Sequence, residues 1–154
     1  MFYFLREDFE GLNAEIEKIA DKIKEIGKNM GQSCREGAET FHDNFAYEDG
    51  ERQQYMWSTR LRNLIGIRNQ ARVVESQKGD KVSLGLTITL EDTSTSEVRT
   101  IKIGSYMVFA KEEQKEIISY NAPLARMLIG GQIGETREAL ISDKKRSFRI
   151  LKIE

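Results

Sequence analysis

The chain has 154 residues, of which 39% are hydrophobic and 32% are charged. This length fits one compact domain or a helical arm joined to one small domain, and this composition suits a soluble protein with much exposed helix better than a disordered tail or a membrane protein. The 24 Lys and Arg residues nearly balance the 25 Asp and Glu residues, so net charge gives no argument for nucleic-acid binding by bulk attraction.

The compartment follows from the cysteine count and the N-terminus. Cys34 is the single cysteine and there is one histidine, so neither an intramolecular disulfide nor a Cys/His zinc cluster is available. The apolar start, residues 2–5, is too short for a signal peptide or for a membrane span of about 20 residues. We therefore expect a cytoplasmic protein that makes no membrane contact.

The first predicted element is a long helix with one apolar stripe. Its apolar residues recur at alternating spacings of three and four: Phe9, Leu12, Ile16, Ile19, Ile23, Ile26 and Met30. This heptad pattern is typical of a coiled-coil seam and predicts a helix over about 6–32, on the order of 40 Å long. Such a stripe requires a partner helix.

The next segment is an acidic turn. Residues 33–51 contain one base, Arg35, and six acids: Glu36, Glu39, Asp43, Glu48, Asp49 and Glu51. Gly31, Gly37 and Asn44 tolerate positive φ and can end or reverse a helix. The pattern predicts that the chain reverses direction here and that the turn is strongly anionic.

The second arm, about 46–72, is the predicted partner of the first helix. Residues near heptad spacing are Tyr47, Gln54, Trp57, Leu61, Leu64 and Ala71. Gly50 and Gly66 each disfavour a helix by about 1 kcal/mol relative to alanine, so local irregularity is expected there. Residues 53–72 contain no acid and four bases, which could face nucleic acid or an acidic protein surface, or could form a solvated face: Arg60, Arg62, Arg68 and Arg72.

After a hinge at residues 77–80 the pattern changes to β. Apolar and polar residues alternate over 82–90 and again over 98–103, and two further strands, 137–141 and 147–153, flank a turn at 142–146. Asn121 as a capping residue and Pro123 open a short helix that Gly130 and Gly131 close. The sequence thus predicts an α+β protein with an antiparallel helical hairpin in residues 1–76 and a mainly antiparallel sheet with one short helix in residues 77–154.

Residues 118–135 read ISYNAPLARMLIGGQIGE. This segment resembles the pattern I-S-x-x-S-P-[LI]-A-x-x-L-[LI]-G-K-x-x-G-D of the bacterial GreA/GreB transcript cleavage factors, with Ala122 and Gly131 where the family usually has Ser and Lys. Upstream, Asp43-Asn44, Tyr47 and Gln53-Gln54 are similar to the family's E-N-A-E-Y and the Gln pair that follows it. The resemblance covers nearly the whole chain.

The resemblance implies a coiled-coil finger that enters the secondary channel of RNA polymerase and an FKBP-like domain that docks on the channel rim through Asn121, Pro123 and Leu124. In this family two acids of a G-D-[LI]-x-E-N motif at the fingertip help to hold the second catalytic magnesium. The polymerase then cuts backtracked RNA, so the factor meets the RNA 3′ end only indirectly. The implied factor is a monomer without a cofactor of its own, and it is not an independent enzyme.

The candidate site residues follow from aligning the tip through Asp43-Asn44. This places Thr40 at the first acidic position and Asp43, the predicted ligand of the shared magnesium, at the second. The candidate tip acids are Asp43, Glu39, Glu48 and Asp49, and the supporting residues are Thr40, His42, Asn44 and Tyr47. The alternative interpretation is that Asp43 caps a helix, that the other acids are solvated, and that His42 packs beside its phenylalanine neighbours.

Three other functions remain open on the sequence. Thr40 at the family's acidic position favours a secondary-channel regulator that inhibits or modulates polymerase without promoting cleavage. An FKBP-like domain raises the possibility of prolyl isomerase activity, although fold does not imply function. The heptads alone would also suit a structural coiled-coil adaptor.

Overall fold

A computed structural model of the protein describes residues 1–36, 45–112 and 115–154. Within these residues the chain forms two compact units. The helical unit comprises Leu12–Gln70, and the β unit comprises Met1–Gly11 together with Ala71–Glu154. A helical hairpin followed by a small β domain with one short helix confirms the predicted α+β class.

The helical unit is built from α1, Arg6–Glu36, whose first turns belong to the β unit, and α2, Phe45–Asn69. The predicted seam of α1 is confirmed, since its buried apolar residues are Leu12, Ile16, Ile19 and Ile26. From α2 the buried residue is Leu64, which is fully inaccessible to solvent. Full burial of side chains of this size contributes about 1.5–3 kcal/mol each, so the seam is the main source of the hairpin's stability.

The two helices pack antiparallel, as predicted. Three contacting pairs join them: Lys22 with Trp57, Gly27 with Gln54, and Met30 with Gly50. From pair to pair the residue number increases in α1 and decreases in α2. The approach at Gly50 is very close, because a Cβ there would lie 2.4 Å from Met30 Cγ. Glycine therefore sets the distance between the helices at this level.

The second helix differs from its prediction in two ways. It runs without interruption through Gly50 and Gly66, so the expected irregularity is absent from it. It ends at Asn69 rather than near residue 72, because Ala71–Val73 forms a strand, β2. This strand pairs in parallel with β1, Phe2–Phe4, in register from Phe2 with Ala71 to Phe4 with Val73.

The pairing of β1 with β2 changes the division of the chain. It joins the first residues and the segment after α2 to the sheet domain, so the predicted boundary between residues 76 and 77 falls inside the β unit. Strands of three residues are too short to show a period of two, and the sequence therefore gave no sign of them.

The five-stranded sheet of the β unit has the order β5-β4-β3-β7-β6. Its strands are β3, Thr87–Asp92, β4, Val98–Gly104, β5, Glu116–Ser119, β6, Thr136–Ile141, and β7, Lys144–Ile153. The pairs are antiparallel as predicted, except that β4 and β5 are parallel. A parallel pair needs a long crossover connection, and here the chain between Gly104 and Glu116 provides it.

The core of the β unit lies between this sheet and the short helix α3, Pro123–Leu128. Alternate residues of three strands are fully or almost fully buried: Ile88, Leu90, Ile101, Ile103, Phe148 and Ile150. From α3 the buried residues are Ala125, Met127 and Leu128. The period-2 pattern of the sequence therefore identified the buried face correctly.

Two boundaries of the sheet differ from their predictions. The predicted strand over 82–90 begins only at Thr87, and the Val82 backbone instead bonds to Gly130 and Gly131 just after α3. The turn between the last two strands shrinks to Ser142 and Asp143, which have φ of 52° and 62°. Two consecutive residues with positive φ match the tight hairpin turn whose twist suits antiparallel strands.

Candidate functional sites

Much of the predicted acidic tip lies outside the described residues. The candidates concerned are Glu39, Thr40, His42, Asp43 and Asn44, and they include the predicted magnesium ligand Asp43. The structure does describe three candidates in the first turns of α2, of which Tyr47 is half-buried while Glu48 and Asp49 are exposed. It therefore places part of the acidic segment at the end of the hairpin where α2 begins.

Glu48 and Asp49 have different surroundings. Asp49 accepts a hydrogen bond from Gln53 Nε2 at 2.8 Å, and Arg52 Nη2 lies 3.4 Å from its other oxygen. Glu48 lies in the first turn of α2, where a negative charge is stabilised by the helix dipole by about 0.3–1 kcal/mol. Since adjacent residues of a helix do not face each other, the two carboxylates do not converge on one ion.

No metal site is formed by the part of the chain that the structure describes. Within residues 1–36, 45–112 and 115–154, no group of three His, Cys, Asp or Glu side chains could hold an ion. Magnesium prefers carboxylate and water oxygens, and Glu48 alone among the described tip candidates has an exposed carboxylate that no other described side chain engages. Of the described tip candidates, Glu48 is therefore the one whose carboxylate is open to a ligand role.

Of the four arginines predicted for the second arm, three lie on α2 and the fourth lies on the strand that follows it. Arg60 and Arg62 are exposed, Arg68 is half-buried at the end of the helix, and Arg72 lies on β2. None of these four forms an ion pair with another described residue. Exposed Tyr55, 77% accessible, lies five residues before the first of them. Because Arg60 and Arg62 lie two residues apart on α2, they do not share a face, and the four arginines do not form one basic surface on the helix.

The predicted docking residues lie at the start of α3. Asn121 and Pro123 are exposed, whereas Leu124 is half-buried against the core. The expected capping by Asn121 is wrong, because the cap position is Ala122, which makes no side-chain cap bond. The Asn121 side chain instead accepts a hydrogen bond from Arg126 Nε at 3.1 Å. Pro123 occupies the first turn as predicted, where its missing N–H costs nothing.

Ser119, which the sequence did not single out, fixes the chain just before α3. Its hydroxyl donates to the Tyr106 carbonyl at 3.2 Å and accepts from the Asn121 N–H at 3.3 Å. Its own carbonyl accepts the Ala122 N–H at 2.9 Å. One serine thus organises the turn that precedes the predicted docking residues.

Arg137 fixes the other end of α3. Its Nη1 donates to the carbonyls of Met127 and Ile129, each at 3.2 Å, and Glu135 accepts from its Nε at 3.2 Å. A cation at these carbonyls is favourable, since the last carbonyls of a helix have no partner within it. Arg137 also borders an open recess of about 580 Å³ beside the docking residues, lined by Pro123, Arg126, Met127, Arg137, Glu138 and Ala139.

Two acids of the β unit are held as carboxylates by their neighbours. Asp92, only 4% exposed, accepts from the Ser94 hydroxyl at 2.6 Å and from Arg146 Nη2 at 2.9 Å, and these bonds hold its pKa well below the usual range. Glu112 accepts from Lys102 Nζ at 2.6 Å, and this bond lowers the pKa of Glu112. Both acids stabilise strand ends and loops, and neither belongs to the predicted sites.

The family of the chain follows from its C-terminal half. Residues 76–154 match the family model described as transcription elongation factor, GreA/GreB, C-terminal part. This span contains the five-stranded sheet, α3 and the predicted docking residues, and it is half of the chain. The protein therefore belongs to the GreA/GreB family of transcription elongation factors, and the resemblance seen in the sequence is confirmed.

Individual relatives match along almost the whole chain. The transcription elongation factor GreA of Novosphingobium aromaticivorans is 27% identical over 152 residues, which are 97% of this chain and 93% of that protein. GreA of Thermosipho africanus is 25% identical over 134 residues, 86% of this chain and 83% of the relative. Among solved structures, the GreA factor homolog 1 (Gfh1) of Thermus thermophilus is 22% identical, with a TM-score of 0.44 and coverage of 99% and 97%.

Neither long helix, in the portions that the structure describes, contains an apolar stretch sufficient to cross a bilayer.

Proposed function

We propose that the protein binds RNA polymerase during elongation, inserts the acidic end of its hairpin into the secondary channel and stimulates cleavage of backtracked RNA. The observation that carries this proposal is the family match over residues 76–154, joined to an antiparallel hairpin that begins its second helix with acids. The polymerase supplies the active site, so the protein is not an enzyme by itself. It acts as a cytoplasmic monomer and needs no cofactor of its own.

The acids of the tip are the working groups. Asp43 helps to hold the magnesium shared with the polymerase, Glu39 assists as a second tip acid, and exposed Glu48 adds negative charge to the tip. Asp49 is held by Gln53 and Arg52, so it contributes to the local field rather than as a ligand. The polymerase's second magnesium, when bound, stabilises the attacking and leaving oxygens of phosphodiester hydrolysis.

Docking on the channel rim uses the start of α3. Asn121 and Pro123 are exposed and make the contact, while Leu124 anchors the helix in the core. Arg137 keeps the helix in place from its C-terminal end. The two units thus have separate tasks, with docking in the β unit and chemistry in the helical unit.

A second candidate is a secondary-channel regulator that binds the polymerase without promoting cleavage. Two observations favour it: Thr40 stands at an acidic position of the family motif, and the Asp49 carboxylate is engaged by Gln53 rather than available. Such a protein would compete with cleavage factors for the channel.

A comparison of two triple variants tests the proposal. One removes tip charge through Glu39→Gln, Asp43→Asn and Glu48→Gln. The matched control removes three exposed acids of α1 through Glu17→Gln, Asp21→Asn and Glu25→Gln. Each is added to a defined backtracked elongation complex of the cognate polymerase, and both RNA cleavage and polymerase binding are measured.

The proposal expects the wild type and the control to accelerate release of the RNA 3′ fragment, and the tip variant to bind the polymerase without doing so. Full cleavage by the tip variant would refute the role of the acids. Binding by the wild type that displaces a known cleavage factor but releases no RNA would establish the regulator instead. Absence of polymerase binding would exclude both functions.

A further inference from the structure

We propose that Ser119, together with Asp8 and Ser105, positions the docking segment, residues 121–124, through a hydrogen-bond network that reaches the start of α1. This inference rests on the proposed function, because it treats that segment as the part that meets the polymerase. The network lies wholly within the β unit.

The network begins at the docking segment. A serine hydroxyl has one proton to donate and lone pairs to accept, and Ser119 uses both, toward the Tyr106 carbonyl and from the Asn121 N–H. The Tyr120 N–H next to it donates to the Gly104 carbonyl at 2.9 Å. The turn before α3 is therefore tied to the end of β4 and to the residues that follow that strand.

Tyr106 extends the network to the N-terminal strand. Its N–H donates to the Tyr3 carbonyl at 3.0 Å, and the Tyr3 N–H donates to the Tyr120 hydroxyl at 3.2 Å. The backbone of Tyr3 in β1 is thus hydrogen-bonded both to Tyr106, in the loop after β4, and to Tyr120, just before the docking segment. A displacement of β1 would be transmitted to residue 120 directly.

Asp8 fixes the loop after β4 on the first turn of α1. The carboxylate is 2% exposed and accepts the Ser105 hydroxyl at 2.5 Å and the N–H groups of Phe109 and Ala110 at 2.8 and 3.0 Å. The same Ser105 hydroxyl accepts the Leu5 N–H at 2.8 Å. Hydrogen bonds to an ionised acceptor are about twice as strong as neutral ones, so this contact is a firm anchor.

Steric contact supports the anchor one turn further along α1. A Cβ at Gly11 would lie 2.5 Å from Phe109 Cβ, so the loop rests directly on the helix backbone. Asp8 and Gly11 therefore both contact the loop that begins at Ser105 and Tyr106. The carbonyl of Tyr106 in this loop accepts the hydrogen bond from Ser119.

A docking segment held in one conformation binds its partner without a further loss of conformational entropy. Removal of one hydrogen-bond partner typically shifts an equilibrium by about fivefold to tenfold, with the larger effect at a buried group such as Asp8. We therefore expect loss of the Ser119 hydroxyl or of the Asp8 carboxylate to loosen residues 121 and 122 and to weaken polymerase binding by about fivefold to tenfold.

The test compares Ser119→Ala and Asp8→Asn with two controls, Ser94→Ala and Asp92→Asn. The controls remove the same groups from an equally buried carboxylate and its serine partner elsewhere in the β unit. Ser119→Thr restores the hydroxyl. Two quantities are measured in the full-length protein: hydrogen exchange at the Asn121 and Ala122 amides of the free protein, and the Kd for the cognate polymerase.

Asp8→Asn is the most informative variant, because Asp8 makes no hydrogen bond to residues 119–124 in the structure as described. Faster exchange at the Ala122 amide in this variant and in Ser119→Ala, with rescue by Ser119→Thr, is the expected result. The controls should lower thermal stability without that change.

Unchanged exchange in both variants, or an equal change in the controls, would overturn the positioning role. If the wild type does not bind polymerase, the proposed function fails, while the exchange data still decide whether Asp8 and Ser119 hold the segment. If exchange changes as expected but the Kd does not, the positioning has no part in docking and the inference is refuted.

Discussion

Replacing Gly66 by alanine should stabilise the helical unit, whereas replacing Gly50 by alanine should not. Both glycines lie inside α2, where alanine is preferred by about 1 kcal/mol. A Cβ at Gly66 would meet no atom within 4 Å, so this variant should gain about 1 kcal/mol in the free energy of unfolding.

At Gly50 the same gain is opposed by a steric clash. The new Cβ would lie 2.4 Å from Met30 Cγ and 3.1 Å from Met30 Sδ. Overpacking of this kind costs about 1–3 kcal/mol, so the net change should lie between zero and a loss of about 2 kcal/mol. Shortening the opposing side chain, in the pair Gly50→Ala and Met30→Ala, should remove the clash.

Urea unfolding followed by Trp57 fluorescence measures this difference. Trp57 is the single tryptophan of the chain and lies on α2 with Lys22 Nζ 4.2 Å from its ring centre, so it reports on the helical unit. Equal stabilisation by the two alanine variants would refute the close approach of Gly50 to Met30 and with it the antiparallel register of the hairpin.

The remaining predictions concern the β unit. The hydrogen bond from the Ser94 hydroxyl, and after it the one from Arg146, lowers the pKa of Asp92, so the ionised carboxylate stabilises the fold at pH values above its unfolded-state pKa. The loss of stability caused by Asp92→Asn at pH 7 should therefore become smaller as the pH falls below about 4. A loss that grows on acidification would contradict this assignment. Arg137→Ala removes the donor to two carbonyls at the end of α3 and should lower the free energy of unfolding by about 1 kcal/mol. Urea titrations followed by circular dichroism measure this change, and no loss would show that the two contacts are not formed in solution. Asp143→Gly relieves a positive φ in the β6–β7 turn and should raise the thermal midpoint slightly, whereas a lower midpoint would exclude the tight turn.

The helical half was largely predictable because its pattern is local. Seven apolar positions from Phe9 to Met30 keep one period, and the helix they predict exists with its buried face as expected. The end of α2 was not predictable in the same way. Ala71 fits the heptad spacing, yet it lies in β2 because the pairing with Phe2 is a contact between residues far apart in sequence.

In the β half, residue type predicted the core but not the connections. Ile101, Ile103 and Phe148 are buried as the alternation indicates. The parallel strand β5 was missed, since four residues, Glu116–Ser119, show too little alternation to be recognised. Asn121 looked like a helix cap because its residue type is favoured there, but Arg126 engages its side chain instead.

Some residues of the candidate sites were identified from the sequence, and others only from the structure. Asn121, Pro123 and Leu124 were found through a family pattern, and the structure places them together at the start of α3. Asp8, Ser119 and Arg137 were missed because their partners lie elsewhere in the chain and no spacing signals them. A family pattern can therefore indicate a candidate docking segment, but the residues that hold this segment are seen only in the folded chain.

The dependence of RNA cleavage on magnesium tests the central claim most directly. In a backtracked complex, the wild-type protein should lower the Mg²⁺ concentration needed for half-maximal release of the RNA 3′ fragment, because its tip carboxylates help to hold the ion. The variant with Glu39→Gln, Asp43→Asn and Glu48→Gln should return that concentration to the value for polymerase alone. An identical Mg²⁺ dependence with and without the wild-type protein would contradict the account.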